Sequence, residues 1–255
     1  MELPQNTFKQ AILAGRQQIG LWCMLPGSFA TEALAGAGFD WLLLDTEHSP
    51  ADVLTVLPQL QAAAAYDVSP VVRPAANDPV LIKRLLDLGA QSLLIPYVQS
   101  VAEAKAAVAA VRYPPGGIRG VAGLTRASRF GRVQGYARRA EEELCLLVQV
   151  ETQKSLDAIE DIAAVEGVDG IFIGPGDLSA SLGHPGDLFH PEVIAAVEGA
   201  ITRVAAAGKP AGVLTYDAAF ARRCMELGTV FTAVGADLAI LVRGVERLAA
   251  EFKPG

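Results

Sequence analysis

Residues Val148–Gly183 read VQVETQKSLDAIEDIAAVEGVDGIFIGPGDLSASLG. A β-branched apolar run ends in the acid Glu151, a helix-period segment follows, and a second apolar run leads into Asp177. Strands that are apolar along their whole length, without alternation, belong to parallel sheets covered on both faces. A helical segment between two of them makes one βα repeat.

The rest of the chain continues that rhythm. Apolar runs recur as IGLWCML, FDWLLLD, SPVVRPA, SLLIPYV, LCLLVQV, DGIFIGP, PAGVLT and VFTAVGA, each followed by a segment of helical period. Glycine closes five of the helical segments, at Gly38, Gly89, Gly167, Gly208 and Gly228, where a left-handed residue after the helix is expected. GFDWLLLDTEH from Gly38 and GVDGIFIGPGD from Gly167 look like two copies of one structural unit. Eight βα units in 255 residues match a (β/α)8 TIM barrel, a single domain over residues 1–255. The rival, a doubly wound sheet, prefers a glycine-rich dinucleotide turn after its first strand, and LWCMLPGSF is not one.

Composition narrows the partners. A formal net charge of −7 argues against a nucleic-acid partner, which needs a basic face. No run of 18 apolar residues is present, so no membrane span is expected. MELPQNTFKQ has neither a basic start nor an apolar core, so a secretory signal is not expected either. Cys23, Cys145 and Cys224 are widely spaced, which fits reduced thiols in a cytoplasm. With only 19% charged residues, some surface is expected to be buried by oligomerisation. Residues 113–143, rich in Gly and Arg, are too long for an ordinary connection. Leu124, Phe130 and Tyr136 would be wasted on a solvated linker, so the segment reads as a functional loop or a subunit contact.

In barrels of this kind the reacting groups stand at the C-terminal strand ends. Those ends carry Trp22, Glu47 with His48, Arg73, Tyr97, Gln149 with Glu151, Asp177, Thr215 and Asp237. Glu47 to Arg73 and Glu151 to Asp177 are each 26 residues, one βα repeat, so neighbouring strand ends can converge. Two converging carboxylates suit a hard divalent cation such as Mg²⁺ or Mn²⁺. They could instead cap the helices that follow. A glycosidase pair is disfavoured, because aromatics are only 6% and sugars need a stacking platform. His48 is a proton carrier for neutral pH, whereas His184 and His190 fall in a turn-rich loop where solvated histidines are common. Arg73 can clamp a carboxylate or stabilise an oxyanion, or else tie strand ends together. No lysine ends a strand, which argues against a Schiff base, and no glycine-rich basic turn offers a phosphate cradle.

With these residues in place, the chain resembles the HpcH/HpaI family of metal-dependent pyruvate aldolases nearly end to end. The similarity is carried by FDWLLLDTEHSP, VVRPAANDPVLIKRLLDLGAQSLLIPYV, YPPGGIRGV, LLVQVET and VEGVDGIFIGPGDLSASLG. The resemblance implies an enzyme, a carbon–carbon lyase that joins a 2-oxo acid donor, pyruvate or hydroxypyruvate, to an aldehyde acceptor, and a homohexamer. It implies a divalent metal ion (Mg, Mn or Co) on Glu151 and Asp177, His48 as base, and Asp87 as the partner of that histidine. Taken alone, Asp87 reads as the i+4 partner of Lys83. Arg73 would stabilise the enolate, Gln149, Asp177 and the backbone at Gly176 would hold the donor, and Glu47 would orient a metal-bound water. Two departures stand out. Gly176 replaces the family's usual alanine, which makes the turn roomier or more flexible beside the donor's C3 and leaves both pyruvate and a hydroxylated donor such as hydroxypyruvate open. Phe130 stands where some relatives have tryptophan, on the acceptor side. The alternatives are an acyl-CoA ester lyase using Arg119, Arg126, Arg129 and Arg132, and a non-catalytic 2-oxo acid sensor.

Overall fold

A computed structural model describes residues 1–253 of the chain. Eight parallel strands form a closed barrel in sequence order: β1 (Gln18–Cys23), β2 (Trp41–Asp45), β3 (Ser69–Arg73), β4 (Ser92–Ile95), β5 (Cys145–Val150), β6 (Gly170–Ile173), β7 (Ala211–Leu214) and β8 (Thr229–Ala236). Pairing of Gln18 with Phe231 and Ile19 with Thr232 closes it. The helices in chain order are α1 (Thr7–Leu13), α2 (Ser28–Ala35), α3 (Val53–Ala63), α4 (Pro79–Asp87), α5 (Val101–Val111), α6 (Tyr136–Arg139), α7 (Gln153–Asp157), α8 (Ile159–Ala163), α9 (Pro175–Ser181), α10 (Pro191–Ala206), α11 (Ala218–Leu227) and α12 (Asp237–Phe252). The five glycines expected to end helices all have φ between 73° and 116°. The sequence pattern misses α1, a short helix capped by Asn6 that packs Phe8 and Ile12 against the barrel's interior residues.

Two apolar layers hold the structure. The outer one lies between strands and helices and includes Leu42, Leu44, Val72, Val148 and Ile171. The inner one fills the barrel with Trp41, Leu43, Leu147, Phe172 and Phe231. Large aromatics fit there because neighbouring strands give way. A Cβ on Gly20 would lie 2.2 Å from the Trp41 ring, and one on Gly212 would lie 2.1 Å from Phe231. Density as high as an organic crystal leaves no room for both partners to be large.

The 113–143 segment runs from the end of α5 to the start of β5, which puts it at the N-terminal end of the barrel. It is anchored rather than floppy. Arg119 is buried, lies 4.5 Å over the Tyr113 ring, and donates from Nη2 to Asp87 Oδ1 at 2.9 Å. Arg126 Nη1 donates to the Leu88 carbonyl at 2.7 Å. Val121, Leu124 and Phe130 nonetheless remain exposed.

The C-terminal helix behaves unlike the other long helices. Of its residues only Asp237 is buried, while Ile240, Leu241, Val242, Val245, Leu248 and Phe252 are exposed. An amphipathic helix that faces its apolar stripe away from its own core lacks a partner. Among the described residues, no helix is long and apolar enough to cross a membrane.

Candidate active site

The C-terminal strand ends surround a pocket of about 290 Å³, a size suited to small molecules. Its walls include Trp22, Asp45, His48, Arg73, Gln149, Glu151, Gly176, Asp177 and Tyr216. Arg73 is its buried cation. Its guanidinium donates from Nε to Asp45 Oδ1 at 2.9 Å and from Nη2 to Asp45 Oδ2 at 2.7 Å. The remaining nitrogen, Nη1, lies 2.8 Å from Glu47 Oε2. The group also sits 5.0 Å from the Trp22 ring, which stacks obliquely on Phe172. A planar ion forked to one carboxylate and backed by an aromatic face has little freedom to turn.

Asp45 is inconspicuous in the sequence, where it reads as the last residue of an apolar strand. Burial works to raise its carboxyl, but the Arg73 fork, the Glu47 N–H and the Trp22 indole N–H outweigh burial and hold it below its ordinary value. Glu47 is pushed up by burial, with Arg73 and His48 opposing and Asp45 and Asp177 adding to the rise. His48 Nε2 lies 3.9 Å from Glu47 Oε2, and its side chain is largely open to the pocket.

Glu151 lines the same pocket. It accepts from the Tyr97 N–H at 2.7 Å and from the Gln149 side-chain amide. That first donor is aimed by an unusual backbone, since Tyr97 has φ 54°. Gly174 leaves the space the carboxylate occupies, because a Cβ there would meet Glu151 Oε2 at 2.5 Å. Burial pushes the Glu151 carboxyl up to about 7; the bonds from Gln149 and Tyr97 oppose this, and negative charge on Asp177 and Glu47 adds to it. Asp177 enters from the first turn of α9.

The capping alternative is not what these two acids do. Thr152 caps α7, and the N-cap of α9 is Gly174, with no side-chain cap bond. No arginine or lysine pairs with Glu151 or Asp177 among the described residues. Three carboxylates, Asp45, Glu151 and Asp177, therefore line the pocket with one guanidinium, Glu47 pairs with that guanidinium beside them, and Gln149 Oε1 is buried without a partner. Oxygen donors in excess of positive charge fit a hard divalent cation.

Some expected participants lie elsewhere. Asp87 ends α4, at the opposite end of the barrel from His48, so the two cannot touch within one chain. It pairs with Arg119 rather than with Lys83. The arginines considered for a nucleotide, Arg119, Arg126, Arg129 and Arg132, share that far end. Asp237 binds the backbone N–H groups of Met24 and Leu25, and Thr215 accepts from Asp217 N, so both serve the frame. His184 and His190 are not freely solvated; their rings stack with centroids 3.4 Å apart.

Comparison with known proteins agrees with this architecture. The family model described as HpcH/HpaI aldolase/citrate lyase matches residues 18–243. The chain is similar to a pyruvate aldolase of Rhizobium etli, 69% identical over 252 residues and 99% of each chain. It is 56% identical to a 4-hydroxy-2-oxo-heptane-1,7-dioate aldolase of Salmonella dublin, over 97% of this chain and 95% of that one. Among solved structures, an HpcH/HpaI aldolase/citrate lyase family protein from Burkholderia cenocepacia J2315 superposes with a TM-score of 0.93 at 41% identity, covering 97% and 99% of the two chains.

Proposed function

The chain belongs to the HpcH/HpaI aldolase/citrate lyase family and is a carbon–carbon lyase, and from that premise we propose the reaction and the residues that run it. The enzyme joins pyruvate or hydroxypyruvate to an aldehyde, reversibly, giving a 4-hydroxy-2-oxo acid. The observation that carries this reading is the pair Glu151 and Asp177, two carboxylates with no arginine or lysine partner among the described residues, lining the same small pocket as a fixed arginine.

Glu151 and Asp177 would hold a divalent ion, Mg²⁺, Mn²⁺ or Co²⁺, whose chemistry is Lewis acidity toward the keto and carboxylate oxygens of the donor. The backbone at Gly176 and the Gln149 side chain hold the donor beside them. His48 takes the proton from C3. Arg73 stabilises the negative charge that then collects on the keto oxygen, and it does so without reorganising, because Asp45 and Glu47 already fix it. The nucleophilic carbon attacks the aldehyde carbonyl, and His48 returns its proton to the new alkoxide. Cleavage runs the same transfers backwards.

Asp87 can serve as the partner of His48 only from another copy of the chain, since its own barrel separates them. That requirement accords with a homo-oligomer, a homohexamer by family resemblance, and with the apolar stripe left exposed on α12. Three buried free thiols accord with a cytoplasmic location.

Proton NMR in D₂O tests the reading. Loss of the C3 signal of pyruvate or hydroxypyruvate is expected with added Mg²⁺ and not with chelator. Equal exchange with chelator present, or in Glu151→Ala, overturns it.

A further inference from the structure

His184, His190 and Glu192 stand apart from the pocket lining, the two histidines on the connection between α9 and α10 and Glu192 in the first turn of α10. Their ligand atoms lie within 4.8 Å of one another. His184 Nε2 is 2.8 Å from Glu192 Oε2, and the two imidazoles face each other at 18°. The connection is built to bring them together. The His184 N–H donates to the Ser179 carbonyl at 2.8 Å, the Gly186 N–H to Ser179 Oγ at 3.3 Å, and the Asp187 N–H to the His184 carbonyl at 3.0 Å. Gly183 and Gly186, with φ of 86° and 81°, supply the turns. Proline at 191 starts α10 immediately after His190, so Glu192 is held one residue beyond it.

From this geometry we infer that His184, His190 and Glu192 form a second metal site, selective for a divalent transition ion such as Zn²⁺, Co²⁺ or Ni²⁺. Two imidazoles and one carboxylate suit those ions, whereas the oxygen set of Glu151 and Asp177 suits Mg²⁺ and Mn²⁺. Tetrahedral Zn²⁺ needs ligand atoms about 3.3 Å apart, so rotation of the two rings on this partly exposed loop closes the site. His190 gives up a long 3.3 Å bond from the Glu192 N–H as it turns. Water completes the coordination.

The site has a structural consequence for the pocket. Ser179, which binds the loop at two points, also donates from Oγ to the Gly176 carbonyl at 2.7 Å. An ion clipping His184 to α10 therefore braces the segment that carries Gly176 and Asp177.

Equilibrium dialysis of the chelator-stripped, full-length protein against Zn²⁺ counts the sites. Two ions per chain are expected for wild type, one for His184→Gln/His190→Asn, and one for Glu151→Gln/Asp177→Asn. Asparagine keeps a cap on α10 at position 190. An unchanged count in the histidine variant, or none in the carboxylate variant, overturns the inference. A count of none in the histidine variant with one retained in the carboxylate variant supports the inference and overturns the cation reading of Glu151 and Asp177. In the wild type, without any substitution, Zn²⁺ should protect His184 and His190 from diethyl pyrocarbonate as read by peptide mass. Equal labelling of both residues with and without Zn²⁺ counts against the site.

Discussion

The backbone N–H of Tyr97 donates to Glu151 Oε1 at 2.7 Å from a left-handed conformation, φ 54°. A bulky residue seldom adopts that region, and the strain is of order 1–2 kcal/mol. The conformation delivers a fixed donor to a buried carboxylate whose ionised form is otherwise disfavoured. Tyr97→Gly keeps the N–H and removes the strain. We expect urea unfolding to show no loss of stability, with about 1 kcal/mol of relief offsetting the entropy of glycine. A loss above about 2 kcal/mol refutes the strain account.

Asp45→Ala leaves the buried Arg73 fork without its partner. Removing one side of a buried ion pair costs about 3–5 kcal/mol, and a freed guanidinium is misplaced for the donor. The C3 exchange rate should fall by about 10²-fold or more. Exchange at the wild-type rate in a folded variant rules out a positioning role.

For Glu151 the folded carboxyl, at about 7, lies above its ordinary value of 4.5. A raised carboxyl favours folding below the unfolded value, and that contribution is lost as pH rises through the folded one. The chelator-treated protein should therefore lose stability between about pH 4.5 and 7, by about 3 kcal/mol at most. Thermal melts of Glu151→Gln should be flatter than wild type across that window. Parallel curves for the two proteins contradict this.

A Cβ added at Gly176 meets nothing within 4 Å, so Gly176→Ala should fold as well as wild type. Under the proposed donor placement, the added methyl group narrows the pocket beside C3. Donor preference, read as the ratio of C3 exchange rates, should move from hydroxypyruvate toward pyruvate. An unchanged ratio separates position 176 from donor choice.

If the stripe on α12 is a subunit contact, a charge within it is disruptive. Leu241→Glu/Val245→Glu should lower the mass measured by light scattering while far-UV dichroism stays native. No change in assembly would place the contact elsewhere.

Sequence pattern carried most of the barrel, because strands covered on both faces are apolar throughout and punctuated by left-handed glycines. It also carried Glu47, His48, Arg73, Gln149, Glu151 and Asp177, since polar residues are conspicuous where such strands end. Asp45 was hidden by its place inside the apolar run, and only the closed register of β2 with β3 sets it opposite Arg73. Tyr97 acts through its backbone, which leaves no trace in residue type. The partner of Asp87 lies 32 residues ahead in an irregular segment, beyond any periodic signal. For His184 and His190, two turns fold a stretch that reads as solvated loop into a stacked pair. The apolar period of α12 is legible as helix, yet which surface it meets depends on where the barrel stops.

The glycine–aromatic exchange inside the barrel constrains how this lineage can drift. Gly20 cannot accept even one methyl group while Trp41 keeps its ring, and Gly212 stands in the same relation to Phe231. Each pair is bistable in evolutionary time: a larger residue on one strand becomes accessible only after the opposing ring has been lost. Substitutions at these four positions should therefore travel in pairs among descendants, with the smaller side chain arriving first.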